Sequence, residues 1–452
     1  MKHMRINSAN GSRRVKREDE RGAALITMLL VSLLLLGAGL ALVTSTSLST
    51  TTSIDATAEM QAYSAAEAGL ESTLNVLRGN VAPDTSLGTT KMNFRTAANP
   101  ATANKASDPW ATGTSAAARL SGWLNYSYSN SAVTNDWRVP LTTSYAPATG
   151  IAFKLLISDP DDPGPIATRQ ITTNSNYEPS QLLIQAEGYG PKGAVKRLEM
   201  IVKRSAFDFV PPAAVTLPGG PGLGMNLGSS ASDSYSGNDM GAPPGSSLPF
   251  VAVDPGNVGT AQSVIDGLHD DSQVSPHNAG SLNSSNTPSF VQSASAARTF
   301  LANMRALASS SGRLFSTKAD AVAAGGLGTT TSPKFTFIDN YGGDPVDLGS
   351  NHQGSGLLIV TGELDTNGNT DFEGVILVLG AGKLVRSGGG NGVIRGAIVV
   401  AQFDPNGTDD TLGRPVFSIS GGGTSKVGLD RMWVRKALDA SGFRVLGMRE
   451  YH

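Results

Sequence analysis

Carboxylates gather at three places in this chain: DPDDPG at 159–164, HDD at 269–271 and DPNGTDD at 404–410. Hard cations such as Ca²⁺ take several oxygen ligands from a flexible loop, which closely spaced Asp and Asn with Gly or Pro could supply. Asp159, Asp161 and Asp162 are the best calcium candidates, but none of the loops follows the EF-hand order, and solvated turns explain the same residues. A second set, Glu363, Asp365, Asp371 and Glu373, falls among short apolar runs, where paired carboxylates could serve a polysaccharide lyase or glycosidase. Edge solubilisation and turn hydrogen bonds account for them more simply. His3, His269, His277, His352 and His452 form neither an HExxH nor a His-x-His spacing, so a zinc enzyme is not expected. GGGNG at 388–392 lacks the GKS/T ending of a phosphate-binding loop. The chain has no cysteine, hence no thiolate nucleophile, thiolate metal site or disulfide. These residues predict a protein that is not an enzyme and takes no cofactor.

The elements that carry such residues are constrained by composition. At 452 residues the chain exceeds one ordinary core, and 53 glycines against 16% charged residues fit turn-rich β structure. The net charge of −2 gives no general basic surface, so no nucleic-acid partner is expected. The charge is uneven. Residues 1–22 hold seven Lys/Arg and three Asp/Glu, or +4, which leaves −6 for the rest.

That basic stretch precedes AALITMLLVSLLLLGAGLALV, Ala23 to Val43, 21 residues without charge or proline. As a helix it spans about 30 Å, enough to cross a bilayer, with Ala23, Leu25, Ile26, Leu29, Leu33, Leu36, Leu40 and Val43 among its membrane residues. The positive-inside rule places the N-terminus in the cytoplasm and the bulk outside it. A secretory signal would have a shorter apolar run with a cleavage site on its far side, which this segment lacks. Helical character continues to about residue 80, with Leu70, Leu74 and Leu77 on one face, for about 84 Å from residue 23 to 78. TSTSLSTTTS at 44–53 predicts a local break, because hydroxyl and β-branched residues compete for backbone hydrogen bonds. Gly79, with Pro83 after it, is the expected stop.

ERGAAL at 20–25 resembles the processing site of prepilins, and QAYSAAEAGLE at 61–71 resembles the N-terminal region of PilX-type minor pilins. The resemblance covers roughly residues 18–78. It implies cleavage after Gly22 by prepilin peptidase and methylation of the new N-terminus, Ala23. It also implies an inner-membrane helix that later packs with other pilin or minor pilin subunits. Major pilins usually carry glutamate at the fifth mature position, where this chain has Thr27; that departure favours a minor component acting in initiation, tip display or adhesion. The alternative is an uncleaved, membrane-anchored envelope protein with a carbohydrate- or partner-binding β-solenoid.

The expected organisation is α+β: leader 1–22, transmembrane and stalk helix 23–80, a small pilin-like unit 81–208, a Pro/Gly-rich linker 209–255 and a β-rich domain 256–452. In the first unit Trp110, Trp123, Tyr126, Tyr128, Trp137 and Tyr145 read as core and turn aromatics. LLIQAEGYGPKGAVKRLEMIVKR at 182–204 reads as a hairpin, with Gly188 to Gly193 as its turn. Residues 296–309 read as a helix with Phe300, Leu301, Met304 and Leu307 on one side. GLLIVTG at 356, GVILVLG at 374 and GAIVVA at 396 are β-branched runs, each opened by glycine, at offsets of 18 and 22 residues. That spacing predicts rungs of a short parallel β-helix or solenoid, with a sandwich as the alternative. Residues 430–440 read as a short helix, and FRVLGMREY at 443–451 as a strand or cap folded onto the solenoid.

Overall fold

Helix α1 runs unbroken from Glu18 to Arg78 in the computed structural model, which describes residues 18–78, 94–98, 139–141, 150–162, 168–174, 177–241, 247–349, 351–421 and 423–451. The expected break at 44–53 does not occur. Thr44, Thr46, Thr50, Thr51 and Thr52 each donate their hydroxyl to the carbonyl one turn back, at 2.8–3.0 Å. The hydroxyls are thereby satisfied inside the helix instead of competing with it. The expected stop at Gly79, and the six aromatics between Trp110 and Tyr145, lie outside the described residues.

The second half of α1 rests on an antiparallel sheet. Its strands are β1 (Val139–Pro140), β2 (Ala152–Ser158), β3 (Gln181–Tyr189) and β4 (Val195–Lys203), in that order. β3 and β4 form the expected hairpin, with Leu182, Ile184 and Ala186 paired to Val202, Met200 and Leu198. All six are buried with Leu70, Leu74 and Leu77 of the helix and Phe153, Leu155 and Ile157 of β2. The turn uses Lys192 and Gly193 at positive φ.

Beyond β4 the strands become parallel and coil. The chain passes through β5 (Val215–Leu217), β6 (Gly224–Leu227), β7 (Val251–Val253) and β8 (Ala279–Ser281), then helix α2 (Ala294–Ser310). It continues through β9 (Ser332–Ile338), β10 (Val346–Asp347), β11 (Gln353–Val360), β12 (Leu364–Asp365), β13 (Asp371–Gly380), β14 (Lys383–Arg386), β15 (Gly390–Gln402), β16 (Val416–Ile419) and β17 (Gly423–Leu429). One sheet has the order β8-β7-β5-β15-β13-β11-β9 and another β10-β12-β14-β16-β6, all in parallel register. Parallel pairing removes the sandwich alternative, whose sheets are antiparallel.

The glycines that open the apolar runs stack in register: Gly356 opposite Gly374, and Gly374 opposite Gly396. Each has positive φ, and a Cβ on Gly374 would lie 2.0 Å from the Gly356 carbonyl oxygen. They form a corner that only glycine fits. Beyond it, Leu358, Ile376 and Ile398 point into the coil, while Leu357, Val375 and Ala397 point out beneath α2 and a second covering helix, α3 (Arg431–Ala440).

Two expectations fail here. Residues 209–255 are not a linker, since β5, β6, the strand Ser234–Ser236 and β7 are all built into the coil. The chain enters in the middle, beside β15, builds outward to β8, and crosses by α2 to start again at β9. α2 makes the second part of that crossing: the Ala294 and Ser295 amides bond Asp410, shortly after β15, and Arg305 pairs with Asp339, just past the end of β9. The second failure is the tail. α3 packs on the coil, but the last strand, β18 (Arg444–Glu450), pairs antiparallel with β4 and completes the N-terminal sheet. Entry and exit both lie at mid-coil, so the tail reaches the free edge of β4 and not a coil end.

Candidate functional site

Residues 22–57 of α1 are exposed throughout, and Ala58 is the first buried position. Ala23, Leu25, Ile26, Leu29, Leu33, Leu36, Leu40 and Val43 are all exposed. Among the described residues this is the one helix long and apolar enough to cross a membrane. Gly22 lies within the helix, with open space where a Cβ would stand. Thr27, at the fifth position after it, donates its hydroxyl to the Ala24 carbonyl at 3.0 Å.

Where the helix reaches the sheet, backbones approach unusually closely. A Cβ on Gly188 would lie 2.0 Å from the Ala62 carbonyl oxygen and one on Gly190 2.4 Å from that of Ala58. Ala58, Ala62 and Ala66 thus lie directly on the glycine end of β3. Gly188 was expected in the turn, but it belongs to the strand and faces the helix. The alanines and Gly69 of AYSAAEAGLE are the small side chains this contact requires; a Cβ on Gly69 would meet the Phe153 ring at 2.9 Å. Charge pairs flank the seat: Lys192 with Asp55 at 3.4 Å, and Lys196 with Glu59 at 3.5 Å and Glu450 at 3.1 Å. Glu450 holds the Lys196 ammonium above its ordinary pKa.

The calcium candidates are brought together, but as a hydrogen-bonded loop. Asp159 accepts from the Asp161 amide at 2.9 Å and the Tyr177 hydroxyl at 2.6 Å; Asp161 accepts from Ser180 and Gln181; Asp162 accepts from the Gln170 amide. Burial, then the bond to Asp159, raises the Tyr177 pKa. The carboxylates staple this loop to the start of β3, and oxygens that a cation would take are already accepting. Among the described residues no group of three or more His, Cys, Asp or Glu side chains is placed to hold a metal ion. Asp270 and Asp410 of the other two acidic runs cap the backbone amides of Ser272 and Ser295.

The coil carboxylates are dispersed. Glu363 pairs with Lys383 at 2.8 Å, and Asp371 accepts from the Val393 amide at 2.9 Å. Asp365 is stacked on Asp347 of the neighbouring rung; burial and then that like charge raise its pKa. Glu373 lies 3.9 Å from Arg395, whose other nitrogen is 3.2 Å from Asp430. Asp430 is fully buried and caps α3 through the Trp433 amide. Burial raises the pKa of both Glu373 and Asp430. Sequence reasoning passed over Arg395 and Asp430; the signal for Asp430 was an Asp directly before a helical run.

The most developed surface feature is therefore the long helix, bare and apolar for its first half and fitted to a glycine-edged sheet for its second. No family model, curated protein or solved structure matches the chain.

Proposed function

We propose that this chain is a minor pilin-like subunit of a type IV pilus or related filament. It is inserted in the inner membrane by residues 23–43, cleaved by prepilin peptidase after Gly22, and displays the coil outside the cytoplasm in filament initiation, at the tip or in adhesion. The observation that carries this reading is that membrane-length helix and domain-core helix are one element. An ordinary anchor needs only a tether, whereas α1 passes from bare apolar surface into a tailored seat on Gly188 and Gly190 without a break. A helix so built can leave lipid for contact with other helices while its domain stays rigidly attached.

The basic residues before Gly22 and the Ala23 start of the apolar run support the cleavage position. N-terminal sequencing of the membrane form tests it. Wild type should begin at Ala23 and Gly22→Ala should retain the leader. Because nothing lies within 4 Å of the position, the added methyl leaves the fold untouched. A full-length chain in both cases removes the reading.

A further inference from the structure

Asn-Gly pairs occur in the chain at 10–11, 367–368, 391–392 and 406–407, and the first lies outside the described residues. Such a pair can react with itself. Glycine has no Cβ to shield its backbone nitrogen, so that nitrogen, on losing its proton, can attack Cγ of the preceding asparagine. A C–N bond forms, the side-chain nitrogen leaves as ammonia with that proton, and water then opens the resulting succinimide at one carbonyl or the other. The products are Asp and isoAsp, the latter with an extra methylene in the main chain.

The attack needs a side chain free to turn towards the next nitrogen and a backbone free to bring it there. Asn367 has neither, because it is stretched across three rungs: its oxygen accepts from the Ser387 hydroxyl at 2.6 Å and amide at 3.2 Å, and its nitrogen donates to Asp347 at 3.5 Å. Asn391 is held within β15. Its oxygen accepts from the Thr424 amide at 3.2 Å, its own amide donates to Asn369 at 2.6 Å, and Gly392 is in register with Ser425 of β17. Freeing either asparagine means opening rungs of the coil. Asn406 is exposed, and its one hydrogen bond runs from its amide to the Asp404 carboxylate at 2.9 Å, leaving the side chain loose. Its pair sits in a single turn, DPNG, closed by the Gly407 amide on the Asp404 carbonyl at 3.1 Å. An isolated exposed turn opens far more readily than a stacked rung.

The turn belongs to the loop between β15 and β16, which clasps the start of α2. Arg298 donates to the carbonyls of Asp404 at 3.2 Å and Asp409 at 2.8 Å. Asp410 accepts from the Ser295 amide through its carboxylate at 2.8 Å and from the Ala294 amide through its carbonyl at 3.2 Å. Residue 406 lies between the two carbonyls that Arg298 holds. An extra main-chain methylene there changes their spacing, whereas a plain Asp does not.

We propose that Asn406 is a self-modification site, converted by water alone to isoAsp and Asp, and that the isoAsp form loosens the clasp on α2. The full-length chain in detergent, held at mildly alkaline pH and then digested, reports each pair by mass spectrometry. In the native chain, conversion at Asn406 should run more than about tenfold ahead of Asn367 and Asn391. In urea the three should convert alike. Comparable native rates at the three pairs, or no native conversion at Asn406 over the time in which the unfolded chain reacts, overturns the site.

Hydrogen exchange reads the consequence. Exchange at the Ala294 and Ser295 amides should rise as wild type ages, and should stay at its starting level in equally aged Asn406→Gln and in Asn406→Asp. Both substitutions fall on an exposed side chain without a partner, so the coil keeps its fold. Equal exchange in aged wild type and aged Asn406→Gln removes the loosening. An equal rise in fresh Asn406→Asp assigns the effect to the new charge and overturns the role of the lengthened chain.

Discussion

Lys203, at the end of β4, is the direct antiparallel partner of Arg444, at the start of β18, and the whole coil lies in the chain between them. The coil is thus an insert between two adjacent strands of the sheet and not an appended domain. The connection is firmly fixed. Arg204 joins Glu178 at 2.8 Å to Asp439 of α3 at 2.6 Å, and Phe207 packs edge-on to Phe290 and Phe300 of the coil.

The insert should be removable. Deleting residues 204–442 and joining Lys203 to Phe443 through Asn-Gly leaves a three-residue loop, a length that hairpins commonly use. It also keeps Phe443 against the helix core, where Arg78 lies over its ring. The shortened chain should retain its helical and antiparallel β signal in circular dichroism and melt cooperatively. A chain that fails to fold would show that α1 and its sheet depend on the coil.

Gly374→Ala should disrupt the coil. It places a Cβ 2.0 Å from the Gly356 carbonyl oxygen at φ of 146°, and the loss should be about 3 kcal/mol or more. Gly256→Ala, where a Cβ meets nothing within 4 Å, should stay within about 0.5 kcal/mol of wild type. Urea unfolding followed by the fluorescence of buried Trp433 distinguishes them; similar midpoints would mean that the corner can shift.

Stability at the junction should depend on pH through Asp439. Burial pushes its carboxyl up to about 6, against the pull of Arg204, whose guanidinium Glu178 shares. The native state therefore binds this proton more tightly than the unfolded chain. The group's contribution falls as pH rises from the ordinary aspartate range through about 6, and stays low above it. Asp439→Asn does not titrate, so the melting temperature of wild type minus that of the variant should decline from about pH 4.5 to about pH 7.5. A constant difference across that range would show that Asp439 titrates normally.

Local signals were read where one period dominates. The apolar span, the face of Leu70, Leu74 and Leu77, the hairpin of β3 and β4, and the rungs opened by Gly356, Gly374 and Gly396 follow from spacing alone. The threonine run misled because propensity treats hydroxyls as competitors, and here they bond within the helix. Among candidate site residues, Asp159, Asp161 and Asp162 share one hydrogen-bonded loop. Sequence could not show that Tyr177, Ser180 and Gln181 donate to two of them.

By itself the sequence determined the uncharged helix, the basic flank before Gly22 and the repeat near twenty residues, because each is a local pattern of side-chain type. Tertiary structure decided that β5 joins β15, that 209–255 is coil, and that β18 returns to β4. A strand's own residues satisfy one pleated face, but its partner is settled by which edge remains unpaired when the chain arrives. For β18 that edge was β4.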